Sequence, residues 1–173
     1  SGGLGDMGQH YIDPVQYILG KDDTSPVKVE VDAPQQHPDA VGVWRSITYT
    51  YADGCQIVLW GGDYGDPNTP YIAGPKGNVY KNFVCDIPDW EKKLADYPEP
   101  EPQISTFIES VKSRQPFALN EQNGFRSATI VNMGAAALRL NRTLNFDPVK
   151  LEFVDDEAAN RLLDQPSRAP WNI

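Results

Sequence analysis

Cysteine and histidine are scarce in this 173-residue chain, which contains two of each and two methionines. Cys55 and Cys85 are too few and too far apart for a disulfide framework or a Cys-x-x-Cys site. We predict two free thiols, and the spacing leaves a single disulfide open. Because soft and imidazole ligands are so few, no metal site is predicted.

Positive charge and long apolar runs are also scarce. The 15 lysines and arginines are outnumbered by 24 aspartates and glutamates, which gives a net charge of −9. Binding to phosphates relies on clustered basic residues, so we expect neither nucleic acid nor an anionic membrane as a partner. The longest apolar run, Ala135–Leu138, falls far short of the roughly 18 residues that a membrane span needs.

What remains is the composition of an ordinary globular domain, with 40% hydrophobic and 23% charged residues. A chain of this length suffices for one domain with a substantial core, and we predict a single domain over residues 1–173. The sequence begins Ser-Gly-Gly, without an initiator methionine or a signal peptide. We interpret it as a fragment or a processed product, and its compartment stays undetermined.

Alternation of apolar and polar residues predicts a sheet of about five strands. An Asp-Gly pair at Asp53 favours a tight hairpin between two of them, and Gly74–Gly77 favours a second hairpin. The predicted strands are Pro26–Val31, Trp44–Tyr51, Cys55–Trp60, Tyr71–Ala73 and Asn78–Tyr80, with Thr143–Phe146 as a short later strand.

Apolar residues at helical spacing predict helices both before and after these strands in the sequence. We expect a helical turn that carries Asp6 and His10, then a kinked or restarted helix from Pro14 to Leu19 that ends at Gly20. Proline-rich residues 86–102 predict an extended connection. The later helices are predicted at Ile104–Ser113, Asn123–Leu140 and Asp155–Leu163. The fold class is therefore α+β: an open, mostly antiparallel sheet with helices packed on one face.

The strongest candidate site is the segment from Gly5 to Asp13. Helical spacing places Asp6, His10 and Asp13 on roughly one face. Histidine, with a pKa of about 6.5, both takes and gives a proton near neutral pH, and a neighbouring carboxylate orients it. The alternative is structural: Asp6 stabilises a helix N-terminus, and His10 is a surface residue.

Other candidates carry weaker signals. Arg126, at the start of the longest predicted helix, could bind a ligand or form an ion pair, and we favour the ion pair. His37 lies between prolines and is predicted to be solvated. The aromatic residues of the first hairpin favour core or interface over a substrate platform; they are Trp44, Tyr49, Tyr51 and Trp60. No G-x-G-x-x-G follows a strand, so no dinucleotide-binding unit is predicted in this chain.

Read together, several segments resemble the Gfo/Idh/MocA oxidoreductases. The stretch Gly2–Asp13 resembles the family's D-x-x-x-H motif, including the aspartate that follows it in D-x-G-x-H-x-x-D. The resemblance continues over Phe107–Arg114, Arg126–Thr129, Leu144–Pro148 and Arg168–Trp171. It covers nearly the whole chain, and it departs from the pattern at Phe125, where relatives often carry a histidine.

The resemblance implies that this chain is a C-terminal substrate-binding and oligomerisation domain. Its nucleotide-binding Rossmann domain, which carries NAD or NADP and a catalytic lysine, would be absent. The family's catalytic pair falls on Asp6 and His10, with His10 as the general base and Asp6 as its orienting group. Asp13 and Arg126 are predicted to contact substrate.

The implied partners are a carbohydrate or cyclitol substrate, the missing Rossmann domain, and further copies of the chain through the open sheet face. We expect the chain alone to bind no NAD and to be inactive. Two alternatives stay open: a domain of an NAD-dependent enzyme that cleaves glycosidic bonds, and a non-catalytic binding or assembly module.

Overall fold

The computed structural model describes residues 2–37, 40, 42–62, 65–66, 68–99, 104, 106–117, 119–163 and 169–170. Their contacts group the chain into two compact units. The first unit consists of Ser1–Tyr64 with Leu119–Ile173, and the second of Gly65–Ala118.

The described residues form seven strands: β1 Lys28–Asp32, β2 Ser46–Thr50, β3 Gln56–Trp60, β4 Ile72–Gly74, β5 Gly77–Val79, β6 Leu144–Asp147 and β7 Glu152–Phe153. Five of them build the sheet of the first unit in the order β3-β2-β1-β6-β7, with every neighbouring pair antiparallel. The prediction of an open antiparallel sheet is confirmed.

One face of this sheet is the core of the first unit. Val29 pairs with Tyr49, and Tyr49 pairs with Ile57, so successive strands place their apolar side chains on the same side. Val29, Ile47 and Tyr49 are fully buried. Burial of each such side chain contributes about 1.5–3 kcal/mol, which fixes the register, since a slip of one residue would expose them all.

The helices of the described residues are α1 Gln9–Ile18, α2 Trp90–Ala95, α3 Phe107–Ser113, α4 Glu121–Leu140 and α5 Glu157–Asn160. A π-helical segment, Leu4–Gly8, leads directly into α1, and Lys81–Phe83 form a 3-10 turn. α4 packs against β1 and against α1. Within the described ranges, no helix combines the length and the apolar character needed to cross a membrane.

α1 passes through Pro14 without the predicted restart. The helix runs from Gln9 to Ile18 with the proline inside it, so the restart predicted at Pro14 is wrong, and the alternative of a kink there stays a prediction. Proline removes one backbone hydrogen bond. Ile12 and Gln16 are buried on either side of it, and this packing holds the helix together across the gap. Gly20, with φ of +63°, follows the end of the helix as predicted.

The second hairpin forms as predicted but does not join the main sheet. β4 and β5 pair with each other in a two-stranded sheet of the second unit, and Val79 of β5 also forms an isolated antiparallel bridge with Cys85. The remaining places in the five-stranded sheet belong to β6 and β7, and β7 was not predicted. Two residues are too short for an alternating pattern, and β7 is fixed by Phe153, whose ring packs edge-on against Phe146 at 5.4 Å.

The second unit corrects two further predictions. Residues 86–102 are not simply extended, because α2 occupies Trp90–Ala95. The helix predicted from Ile104 begins at Phe107. Its apolar stripe is exposed rather than buried: Phe107 is 71% and Ile108 67% accessible. No residue among those described in this unit is fully buried.

Candidate functional site

A groove with a volume of about 380 Å³ lies where the first half of α1 meets the beginning of α4. Both helices belong to the first unit. The groove is lined from α1 by Gln9, His10, Asp13 and Pro14, and from the start of α4 by Leu119, Asn120, Asn123 and Gly124. The N-terminal motif is therefore one wall of a cleft, and α4 supplies the other wall.

The α4 wall is organised by an N-cap. The Asn120 side chain accepts hydrogen bonds from the backbone N–H groups of Gln122 at 3.0 Å and Asn123 at 3.2 Å. Such a cap typically stabilises a helix by about 1 kcal/mol. It begins α4 at Glu121, two residues before the predicted Asn123, and it holds the Asn120 side chain at the edge of the groove.

His10 and Asp13 lie one turn apart on α1 and line the same groove. The His10 side chain is exposed, as a proton acceptor for an incoming ligand must be. Asp13 is half-buried, and its Oδ1 accepts a hydrogen bond from the hydroxyl of Ser127 on α4. Ser127 is 1% exposed, and its Oγ also lies 3.1 Å from the backbone oxygen of Asn123.

Asp6 does not line this groove. It is an exposed residue of the π-helical segment, one turn before His10. Within the described part of the chain, Asp6 and His10 form no hydrogen bond with each other. The structure therefore brings Asp13, rather than Asp6, into the groove with His10, and the role of Asp6 stays a prediction.

Arg126 does not form the predicted ion pair with any described residue. It is half-buried, its Nη1 donates to the hydroxyl of Ser25 at 3.2 Å, and its guanidinium lies 5.7 Å from the centre of the Phe125 ring. Its Nε is buried without a hydrogen-bond partner among the described residues. Arg126 does not line the groove, so a substrate contact there stays a prediction.

The remaining candidates lie elsewhere. Burial raises the pKa of the phenols of Tyr49 and Tyr51, and both are core residues, as expected. Trp60 is 48% exposed on the opposite face of the sheet, and His37 is exposed. Both cysteines are free thiols. From the closing segment of the family resemblance, Arg168 and Trp171 lie outside the described residues.

Asp13 and His10 are the titratable side chains among the groove residues. Its polar groups are amides, a carboxylate and an imidazole, and neither lysine nor arginine is among its lining residues. Amides and carboxylates bind neutral hydroxyl groups, whereas an anionic ligand would require a cation or a set of backbone donors. Among the described residues, no three His, Cys, Asp or Glu side chains come together in a way that could hold a metal ion.

Six groove residues were not predicted as site residues: Gln9, Pro14, Leu119, Asn120, Asn123 and Gly124. For Asn120 a signal was present, since asparagine followed by Glu121 is typical of a helix start. For the others there was none. The groove depends on the packing of α1 against α4, two elements that are far apart in the sequence.

Comparison with known families is consistent with this fold. Residues 1–173, which are the whole of this chain, match the C-terminal alpha/beta domain of the Gfo/Idh/MocA oxidoreductase family. The chain belongs to this oxidoreductase family and represents its C-terminal domain. No curated protein matches the chain.

Among solved structures, the chain is similar to YvaA from Bacillus subtilis, a protein proposed to be an oxidoreductase. The TM-score is 0.52 at 17% sequence identity, and the match covers 85% of this chain. At that identity the likeness shows the fold alone. The match covers 52% of YvaA, so this chain spans about half the length of that structure.

Proposed function

We propose that this chain is the substrate-binding half of an oxidoreductase that acts on a hydroxyl group of a sugar or cyclitol, with NAD or NADP as cofactor. The observation that carries the proposal is the groove, where an exposed imidazole and a half-buried carboxylate face neutral amides. Membership of the oxidoreductase family supports the proposed oxidation. The neutral polar residues that line the groove support a sugar or cyclitol as the substrate.

The described residues do not fit a dinucleotide. The five-stranded sheet is antiparallel throughout, so it lacks the parallel crossover unit and glycine-rich turn that hold a pyrophosphate. The groove also lacks a cation that would face phosphates. The proposal therefore assigns the cofactor, and hydride acceptance, to a domain outside this sequence.

The chain's own residues would bind and orient the substrate and move its proton. Asn120, Asn123 and Asp13 offer acceptors and donors to several hydroxyl groups at once, which fixes the orientation of a polyol. His10 would accept the proton of the reacting hydroxyl and return it in the reverse direction. Ser127 would keep Asp13 in place, because its hydrogen bond occupies Oδ1.

The test is turnover of the full-length enzyme after replacement of each histidine. We expect His10→Ala to lower kcat by about 100-fold or more, the range for loss of a general base. The sequence contains only one other histidine, His37, which makes His37→Ala a matched control that should retain activity. Unchanged turnover in His10→Ala would support the non-catalytic alternative.

A measurement of net cofactor reduction separates the remaining alternative. An enzyme that oxidises its substrate consumes NAD or NADP stoichiometrically. An enzyme that uses a transient oxidation to cleave a glycosidic bond retains its cofactor and accumulates no reduced form. Both mechanisms use the same groove and the same role for His10. The amount of reduced cofactor that accumulates therefore distinguishes them.

A further inference from the structure

Gly124 is a glycine inside a helix, and no contact with another described residue requires a glycine there. It is the fourth residue of α4 and lines the groove. Apart from its chain neighbours and its own helix backbone, a methyl group at this position would meet no atom of the described residues within 4 Å. Glycine destabilises a helix interior relative to alanine, because its backbone loses more freedom on folding. The chain thus gives up helix stability at a position where alanine would fit.

A second glycine of the same helix shows the contrast. A Cβ at Gly134 would collide with the hydroxyl of Tyr49 and approach Cδ2 of Leu4 to 3.1 Å. Packing against the sheet and the N-terminal segment therefore accounts for Gly134. No such neighbour exists at Gly124 in the described structure, so its explanation lies outside the folded chain, on the open side of the groove.

We propose that Gly124 determines substrate specificity by keeping bare helix backbone available to the face of a cyclic polyol. The residues that line the groove include both kinds of group that such a ring needs. Its apolar groups are Pro14, Leu119 and the Cα methylene of Gly124. Its polar groups are Gln9, His10, Asp13, Asn120 and Asn123. A ring of this class offers a C–H face and a rim of hydroxyl groups, and the two sets of groove residues match them.

Position along the helix supports this arrangement. Gly124 lies one turn after Asn120 and directly after Asn123, so the bare backbone adjoins both amide side chains. A ring in contact with Gly124 would bring its hydroxyl groups within reach of those amides. A methyl group at residue 124 would lift the ring away from the helix. The inference rests on the proposed function, since it assumes a polyol in the groove.

The experiment is a binding titration of the chain by NMR, with myo-inositol and D-glucose as ring probes and D-sorbitol as an open-chain probe. The signals to follow are the side-chain amides of Asn120 and Asn123. For Gly124→Ala we expect a melting temperature above that of the wild type and a dissociation constant for the ring probes raised about tenfold or more. The open-chain probe can bend around a methyl group, so its dissociation constant should rise less.

Asn132→Ala is the matched control, because Asn132 is an exposed position of the same helix where alanine also favours the helix. It should raise the melting temperature and leave the dissociation constants unchanged. Ring binding to Gly124→Ala that equals wild-type binding would overturn the role of Gly124 and leave the proposed function intact. Absence of polyol binding to the wild-type chain would overturn both.

Discussion

The hydroxyl of Ser127 on α4 donates a hydrogen bond to the carboxylate of Asp13 on α1, 114 residues earlier in the chain. Ser127 is almost completely buried, whereas Asp13 reaches the groove. This contact joins the two walls of the candidate site through a polar pair. It therefore connects the stability of the helix pair with the geometry of the groove.

Replacement of Ser127 with alanine should destabilise the first unit by about 1–3 kcal/mol, because a half-buried carboxylate loses its partner. Urea denaturation measures the effect. Thr129→Ala is the matched control, because among the described residues the Thr129 hydroxyl donates to the Phe125 carbonyl of its own helix. We expect the control to change stability much less. Equal losses in both variants would show that the contact with Asp13 contributes nothing beyond a local helix bond.

Replacement of Gly134 with alanine should destabilise the fold by about 1–3 kcal/mol, the usual cost of overpacking a core. The added methyl group would collide with the Tyr49 hydroxyl, which is buried without a hydrogen-bond partner among the described residues. Tyr49→Phe removes that hydroxyl, so the double variant should recover much of the loss. A double-mutant cycle measured by thermal unfolding tests this coupling. Additive effects would contradict it.

Acid should weaken the first unit through Asp156. Its hydrogen-bonded pair with Arg142, and secondly the N–H of Ala159, hold its pKa below the usual value. A lowered pKa means that the stabilisation is complete above the unfolded-state pKa of about 3.9 and is lost as pH falls through the folded-state value. Asp156→Asn should therefore be less stable than wild type at pH 7, and the difference should shrink in strong acid.

The neighbouring carboxylate provides the control for this pH dependence. Asp155 is exposed with φ of +51°, a conformation that asparagine tolerates well. Asp155→Asn should therefore fold without added backbone strain, and it serves as the neighbouring Asp→Asn control in the same urea unfolding experiments. A difference between Asp156→Asn and wild type that persists unchanged in strong acid would contradict the assignment to the ionised pair.

The outer face of the sheet should mediate self-association, as the family resemblance implies. Val58 is 41% and Trp60 48% exposed there, on alternate positions of β3. Trp60→Glu places a charge on that face and should shift the chain to the monomer in light scattering. Val43→Glu, in a loop where Val43 is 67% exposed, is the control. A monomeric wild-type chain at micromolar concentration would contradict the prediction.

Much of the sheet could be predicted because its signals are local. Alternation in β1, β2 and β3 and the Asp53-Gly54 turn specify a hairpin without any knowledge of distant residues. The order of the strands in the sheet could not be predicted from such local signals. β6 lies beside β1, although they are far apart in sequence, and only burial of Leu144 and Phe146 against the common core places it there.

The candidate site likewise has one part that local signals predict and one part that they do not. His10 and Asp13 could be identified from their spacing and chemistry, whereas the opposite wall arises from long-range packing. Pro14 misled the prediction for α1 because tertiary burial outweighed a local rule. The ion pair predicted for Arg126 was wrong, because the position of a basic residue near a helix start does not reveal its partner. That partner is the Ser25 hydroxyl instead of a carboxylate.

The central claim is that a neutral polyol binds beside His10, and the two-histidine composition of the chain offers a direct test. Titration of the chain with myo-inositol can be followed through the ring proton signals of both imidazoles. We expect the His10 signals to shift in a saturable manner while those of His37, in a separate loop, stay in place. If the His10 signals do not move, or if both histidines shift equally and without saturation, the assignment of the groove as a polyol site is contradicted.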